Sequence, residues 1–190
     1  MVEITELSAR PTEIEDLVFL TMKQVAEDRG TVREFYRESA MGAAGLPTLG
    51  PWRQINITHT RQGALRGMHA EDMVKLVAVV AGEAFAAYVD LRSTADSFGA
   101  VVTTTLSPGQ QVLVPAGVGN GFQATSEDGC QYLYCFDQEW APEMAGMACT
   151  PLDPALGIDW PLEVDPDDPA QVSAKDRDAP LFSQLGGAGP

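Results

Sequence analysis

Three side chains in this sequence have the types and spacing that proton chemistry needs. His69 closes the run Ala64-Leu65-Arg66-Gly67-Met68-His69, at the end of an expected strand. Arg66 stands three residues before it, an awkward neighbour for a purely structural histidine. Lys75 lies at the start of the otherwise apolar run Val74–Val80, where a buried ammonium needs a reason. An imidazole titrates near neutrality and can take a proton from a carbon beside a carbonyl, while an ammonium stabilises the enolate oxygen that develops. Tyr134 follows Tyr132 on the same strand face. Paired aromatics are more often core, but a phenol facing a barrel interior opposite a histidine is also a proton donor. A lone histidine is more often structural than catalytic, so the set carries the reading. His59, at a strand end near solvent, receives no catalytic role.

The elements that must position this set read as short strands. Between about 53 and 137, strands are expected at Gln54–His59, Val74–Val80, Glu83–Leu91, Ala100–Leu106, Gln111–Val114, Asn120–Thr125 and Cys130–Phe136. Turn signals such as Ser107-Pro108-Gly109 and Asp128-Gly129 separate them. Period-2 alternation puts Phe85, Ala87, Val89 and Leu91 on one face, and Cys130, Tyr132, Tyr134 and Phe136 on one face of another strand. Strands this short and regularly punctuated predict an all-β antiparallel sandwich or barrel. Upstream, Leu17–Met22 reads as a further strand, followed by a turn at Glu27-Asp28-Arg29-Gly30 and extended chain from Val32 to Tyr36. One domain is expected over 1–183, with an N-terminal arm over 1–16 and an acidic, proline-rich C-terminal arm over 150–183. A short helix is expected around Ala174–Gln184, and a disordered tail over 184–190. The run Val114–Phe122 is glycine-rich, but it lacks a following Lys-Ser/Thr and helix, so it reads as a tight turn rather than a phosphate loop.

Composition excludes several classes. The 190 residues carry 12 Lys+Arg against 27 Asp+Glu, a net charge of −15, so broad binding to nucleic acid is not expected. No stretch approaches the length of a membrane span, and the acidic start Met1–Glu6 does not read as a secretory signal. Cys130, Cys135 and Cys149 follow no metal-like spacing and fit a reducing cytoplasmic setting. Two histidines cannot build a three-histidine metal site. No metal is therefore expected.

The ordered motifs resemble the dTDP-4-dehydrorhamnose 3,5-epimerase family over about residues 16–183. Leu65-Arg66-Gly67-Met68-His69 is the most specific match. Asp28-Arg29-Gly30 with Glu34-Phe35, Gln54-Ile55-Asn56, Lys75-Leu76-Val77, Val89-Asp90-Leu91-Arg92, Val114-Pro115 leading to Gly121-Phe122, Leu133-Tyr134, Asp153–Pro161 and Ser173-Ala174-Lys175-Asp176 accompany it. The resemblance implies a cupin-type jelly roll with short flanking helices. It also implies cofactor-independent inversion of C3, C5 or both in a nucleotide-linked 4-keto-6-deoxysugar. His69 is then the base, oriented by Asp176; Tyr134 is the acid on the opposite ring face; Lys75 stabilises the enolate. Arg29, from a neighbouring subunit, and Arg66 hold the diphosphate. Glu34, Gln54, Asn56, Asn120, Trp140 and Lys175 join the substrate pocket. A homodimer with an exchanged N-terminal strand follows from the same resemblance. The chain departs from the family pattern in four places. Asn120 stands for a second histidine, the loop from His69 to Lys75 is shorter, Thr31-Val32 replaces an aromatic pair, and Ala145 replaces a frequent Glu. An isomerase or cyclase acting on a non-sugar ketone, and a non-enzymatic cupin binding module, are the alternative readings.

Overall fold

The computed structural model describes residues 1–185 and is mostly β. Five strands come first: β1 (Glu3–Thr5), β2 (Ser8–Pro11), β3 (Val18–Thr21), β4 (Lys23–Glu27) and β5 (Gly30–Glu34). A short helix, α1 (Glu38–Ala43), follows. Then come β6 (Gln54–Thr60), β7 (Leu65–Glu71), β8 (Lys75–Ala81), β9 (Ala84–Asp90), β10 (Val101–Leu106), β11 (Gln110–Val114), β12 (Val118–Ala124), β13 (Cys130–Phe136) and β14 (Gly146–Ala148). Two helical turns, α2 (Ala174–Arg177) and α3 (Phe182–Leu185), end the described chain.

Two antiparallel sheets face each other as a jelly roll of the cupin type. One runs β2-β3-β11-β8-β13-β6, the other β10-β9-β12-β7-β14. Val77, Val79, Ala86, Tyr88, Val112, Phe122 and Tyr132 form the core between them, with Phe122 and Tyr132 stacked at 4.0 Å between ring centroids. A separate flap, β1-β4-β5, stands apart from both sheets. The expected strand at Cys130–Phe136 is observed with the same bounds, and the other central strands shift by one or two residues.

Three features differ from the sequence expectation. The N-terminal arm contains two strands: β1 pairs with β4 across two intervening strands, and β2 pairs antiparallel with the next strand, β3. The helix expected over Ala174–Gln184 splits into α2 and α3, because Pro180 cannot continue a helix. Of the expected tail, Gln184 lies in α3, and residues 186–190 fall outside the described residues.

The C-terminal arm packs on the outer face of the five-stranded sheet. Leu156, Ile158, Trp160 and Phe182 cover Ala87, Val89 and Leu91, so β9 is buried on both sides. Gln123 clamps the arm through both amide atoms, donating to the Leu162 carbonyl at 2.9 Å and accepting from its N–H at 3.0 Å. Asp153 caps a turn at Ala155 and accepts from the Phe182 N–H at 2.7 Å. Pro161, Pro166 and Pro169 fall at bends and turns of the arm, whose polar backbone is tied down by side chains and short turns rather than by a ladder. The three cysteines are buried and unpaired, and burial pushes each thiol up to about 11.

Candidate active site

β7 and β12 run side by side, and their register places His69 directly across from Asn120. The approach depends on two glycines. Gly67 has φ of 117°, and a Cβ there would lie 2.5 Å from the Gly121 Cα and 2.7 Å from the Asn120 oxygen. A Cβ on Gly121 would lie 2.4 Å from the Met68 sulfur. No larger residue fits this contact without moving backbone, so the Arg-Gly-x-His motif doubles as a spacing device.

His69, Asn120, Arg66, Gly67 and Glu71 from the five-stranded sheet line a cavity of about 190 Å³. Lys75, Tyr134, Phe136, Asn56 and Thr58 from the six-stranded sheet line it from the other side, with Trp140 at its mouth. The base candidate and the acid candidate therefore come from opposite sheets. The imidazole is about one-third exposed, whereas Asp176 is buried.

Asp176 reaches the site from α2. Ser173 caps that turn by accepting from the Asp176 N–H at 3.1 Å. The carboxylate takes the His69 Nε2 contact at 2.7 Å and accepts from the Gly67 N–H at 3.4 Å. Burial works to raise its pKa, but the His69 hydrogen bond and charge outweigh burial and hold it below the ordinary value. With Nε2–H donating to this carboxylate, Nδ1 carries the lone pair.

Lys75 is 2% exposed and pairs with Glu71; its ammonium also donates to the His69 carbonyl at 3.1 Å. Burial pulls the ammonium below its ordinary pKa, with Glu71 opposing. Burial pushes the Glu71 carboxyl up, but the Lys75 charge and hydrogen bond leave it below its ordinary value. Burial drives the Tyr134 phenol well above its ordinary value, so it keeps its proton at neutral pH. Tyr132 beneath it, 4.9 Å between ring centroids, is pushed up to about 12 by burial. Asn120 is 6% exposed, and its Nδ2 has no hydrogen-bond partner among the described residues.

The structure thus brings together His69, Asp176, Lys75, Tyr134, Arg66, Asn56, Asn120 and Trp140. Gln54 stands just behind the cavity, donating to Asn56 Oδ1 at 3.2 Å and accepting from the Trp140 N–H at 2.8 Å. Arg29, Glu34 and Lys175 lie outside the cavity of this chain. Arg29 sits at the exposed turn of the β4–β5 hairpin beside Glu27, Glu34 pairs with Arg37, and Lys175 is exposed on α2. Sequence reasoning missed Glu71, Thr58 and Phe136. The signal for Glu71 was its placement four residues before Lys75, across a short turn. Among the described residues, no group of three or more His, Cys, Asp or Glu side chains is placed to hold a metal ion. Among them also, no helix is long and apolar enough to cross a membrane.

The barrel belongs to the cupin class of jelly rolls, and its cavity sets a histidine against a buried carboxylate. The comparisons with known proteins narrow the class. A family model described as dTDP-4-dehydrorhamnose 3,5-epimerase matches residues 11–184. The dTDP-4-dehydrorhamnose 3,5-epimerase of Pseudomonas aeruginosa is 34% identical over 183 residues, covering 93% of this chain and 97% of the relative. A solved Streptococcus suis RmlC in complex with dTDP-D-xylose superposes with a TM-score of 0.83 at 29% identity, covering 95% of this chain and 94% of the other. NovW, a 4-keto-6-deoxy sugar epimerase from Streptomyces spheroides, superposes at 0.84 and 30%, covering 95% and 89%. The chain belongs to the dTDP-4-dehydrorhamnose 3,5-epimerase family, a family of isomerases.

Proposed function

We propose that this protein epimerises a dTDP-linked 4-keto-6-deoxyhexose at C3, C5 or both, without a cofactor. The observation that carries the reading is the His69–Asp176 contact at 2.7 Å, set in a cavity that Tyr134 and Lys75 close from the opposite sheet. His69 Nδ1 takes the proton on carbon beside the keto group. The C–H pair becomes the C=C bond of the enolate, and the carbonyl π pair moves to oxygen, where Lys75 stabilises it. Tyr134 returns a proton to carbon on the other face and inverts the centre. Asp176 fixes the tautomer and offsets the imidazolium charge, as a buried carboxylate does behind other catalytic histidines. Asn56, Asn120, Gln54 and Trp140 orient the sugar and nucleotide, and Asn120 does so without titrating.

Arg66 at the cavity and Arg29 hold the diphosphate, for which guanidinium geometry is suited. Arg29 reaches it from a second copy. The flap exposes Ile4 and Val32, and edge strand β6 exposes Ile55 and Ile57, so an exchanged N-terminal strand buries apolar surface and covers a sheet edge. Glu34 rides on the same flap, and Lys175 borders the site from α2. The assembly is a cytoplasmic homodimer, and the domain spans 1–183 with its two arms. Incubation with dTDP-4-keto-6-deoxyglucose in D₂O, followed by NMR, is the test. Deuterium at C3, C5 or both is the expected result; exchange at neither centre overturns the reading.

A further inference from the structure

The mechanism above leaves one charged group of the cavity without a task. Glu71 lines the cavity beside His69 and Lys75, and its carboxylate is engaged by the Lys75 ammonium. The pairing is a product of the short connection between β7 and β8, which sets the two residues four apart across a turn. A lysine side chain is long and flexible, and holding its head group in one place requires fixed partners. Here there are two: the Glu71 carboxylate and the His69 carbonyl. An ammonium has three N–H donors, so one remains for a ligand in the cavity.

We infer that Glu71 is a positioning residue that acts through Lys75: it tethers the ammonium, compensates its charge, and leaves a single oriented N–H for the substrate's keto oxygen. The inference rests on the epimerase reading for the identity of that oxygen. The Glu71–Lys75 coupling itself does not depend on it. The environment of Lys75 supports the role. Beyond Glu71, the titratable or charged groups around it are His69 and Arg66 on β7 and Tyr134 on β13; β12 contributes only the neutral Asn120, and β6 Asn56 and Thr58. None of these is an anion at neutral pH. Burial alone favours the uncharged amine, so Glu71 is the group that keeps the buried lysine an ammonium.

The test uses the 190-residue protein and four variants, one of them double. In Glu71→Gln, which keeps the shape and an acceptor, the alkaline limb of the kcat–pH profile should move down by about one unit. In Glu71→Ala, kcat should fall about 10- to 30-fold with KM changed less than about threefold, since the lost contact serves the transition state more than binding. In a Lys75→Ala background, Glu71→Gln should have almost no further effect, because a residue acting through Lys75 is silent without it. A readout independent of turnover is the NMR titration of the side-chain nitrogen of Lys75, which is one of three lysines with Lys23 and Lys175. Its apparent pKa should drop in Glu71→Gln. An unmoved lysine titration, a KM that rises as kcat falls, or additive losses in the double variant would each overturn the inference. If the wild type exchanges no deuterium while the lysine titration moves as stated, the epimerase reading fails and the Glu71–Lys75 coupling stands.

Discussion

The barrel cavity and the flap are built from neighbouring stretches of one chain, yet they differ in how many contacts each finds within it. In the cavity, His69 has Asp176, Lys75 has Glu71 and the His69 carbonyl, and Tyr134 is enclosed by Tyr132 and Phe136. On the flap, β1-β4-β5 turns Ile4 and Val32 to solvent, and Arg29 is exposed beside Glu27. A group that must hold a proton at a set energy needs low dielectric and fixed partners, which a single barrel supplies. A guanidinium that meets an incoming diphosphate gains from arriving with a second surface. Under the proposed function, proton chemistry is intramolecular and anion capture is shared between copies.

That division can be broken from the barrel side first. His69→Asn removes the base and should lower deuterium exchange by about 10³- to 10⁴-fold with the fold intact by circular dichroism. Asp176→Asn keeps the shape but donates where the carboxylate accepted, turning the imidazole to the wrong tautomer. A loss of about 10²- to 10³-fold is expected, with the pH–rate profile displaced as well. Retention of wild-type exchange in either variant would separate the His69–Asp176 pair from the chemistry. Gly67→Ala forces a Cβ into the β7–β12 contact at a positive φ and should destabilise the protein by about 3 kcal/mol or more in urea unfolding. On the flap, Arg29→Ala should raise KM about tenfold with a much smaller change in kcat. A kcat loss as large as that of His69→Asn would place the flap in the proton chemistry and erase the distinction.

The smallest effect expected is on stability against pH. Glu71, Asp90 and Asp176 all have carboxyls held below their ordinary values in the folded protein: burial opposes this in each, and Lys75, Arg92 with Ser97, and His69 outweigh it. A folded pKa below the unfolded one adds stability that is present above the unfolded value and lost as pH falls through the folded one. Melting temperature should therefore decline below about pH 4, by about 2–4 °C for each kcal/mol lost at this chain length. A flat profile between pH 6 and pH 3 would show that these contacts carry no net stability.

Much of the barrel was legible because its strands alternate and are bounded by turn residues; β13 is the clearest instance. What was not legible depends on partners distant in sequence. Strand β1 is short and largely exposed, and nothing local announces its pairing with β4, two strands further on. The shared face of Phe85, Ala87, Val89 and Leu91 was read from alternation. That it faces the C-terminal arm, while Ala84, Ala86 and Tyr88 face the barrel core, follows from packing alone. The burial of Asp176 among many solvated acids followed from the family motif, whereas Glu71 escaped notice because its meaning comes from the turn that folds it onto Lys75.

The three buried cysteines carry a practical consequence for following this molecule at work. With each thiol pushed up to about 11 and sealed in packed interior, thiol reagents at neutral pH find little thiolate to attack on the folded chain. A single cysteine introduced at Asp28, on the exposed tip of the β4–β5 hairpin, becomes the one handle a maleimide dye or spin label can take. The native sequence is thus already a silent background on which the approach of one hairpin to another molecule can be read as a change in colour or a spin–spin distance.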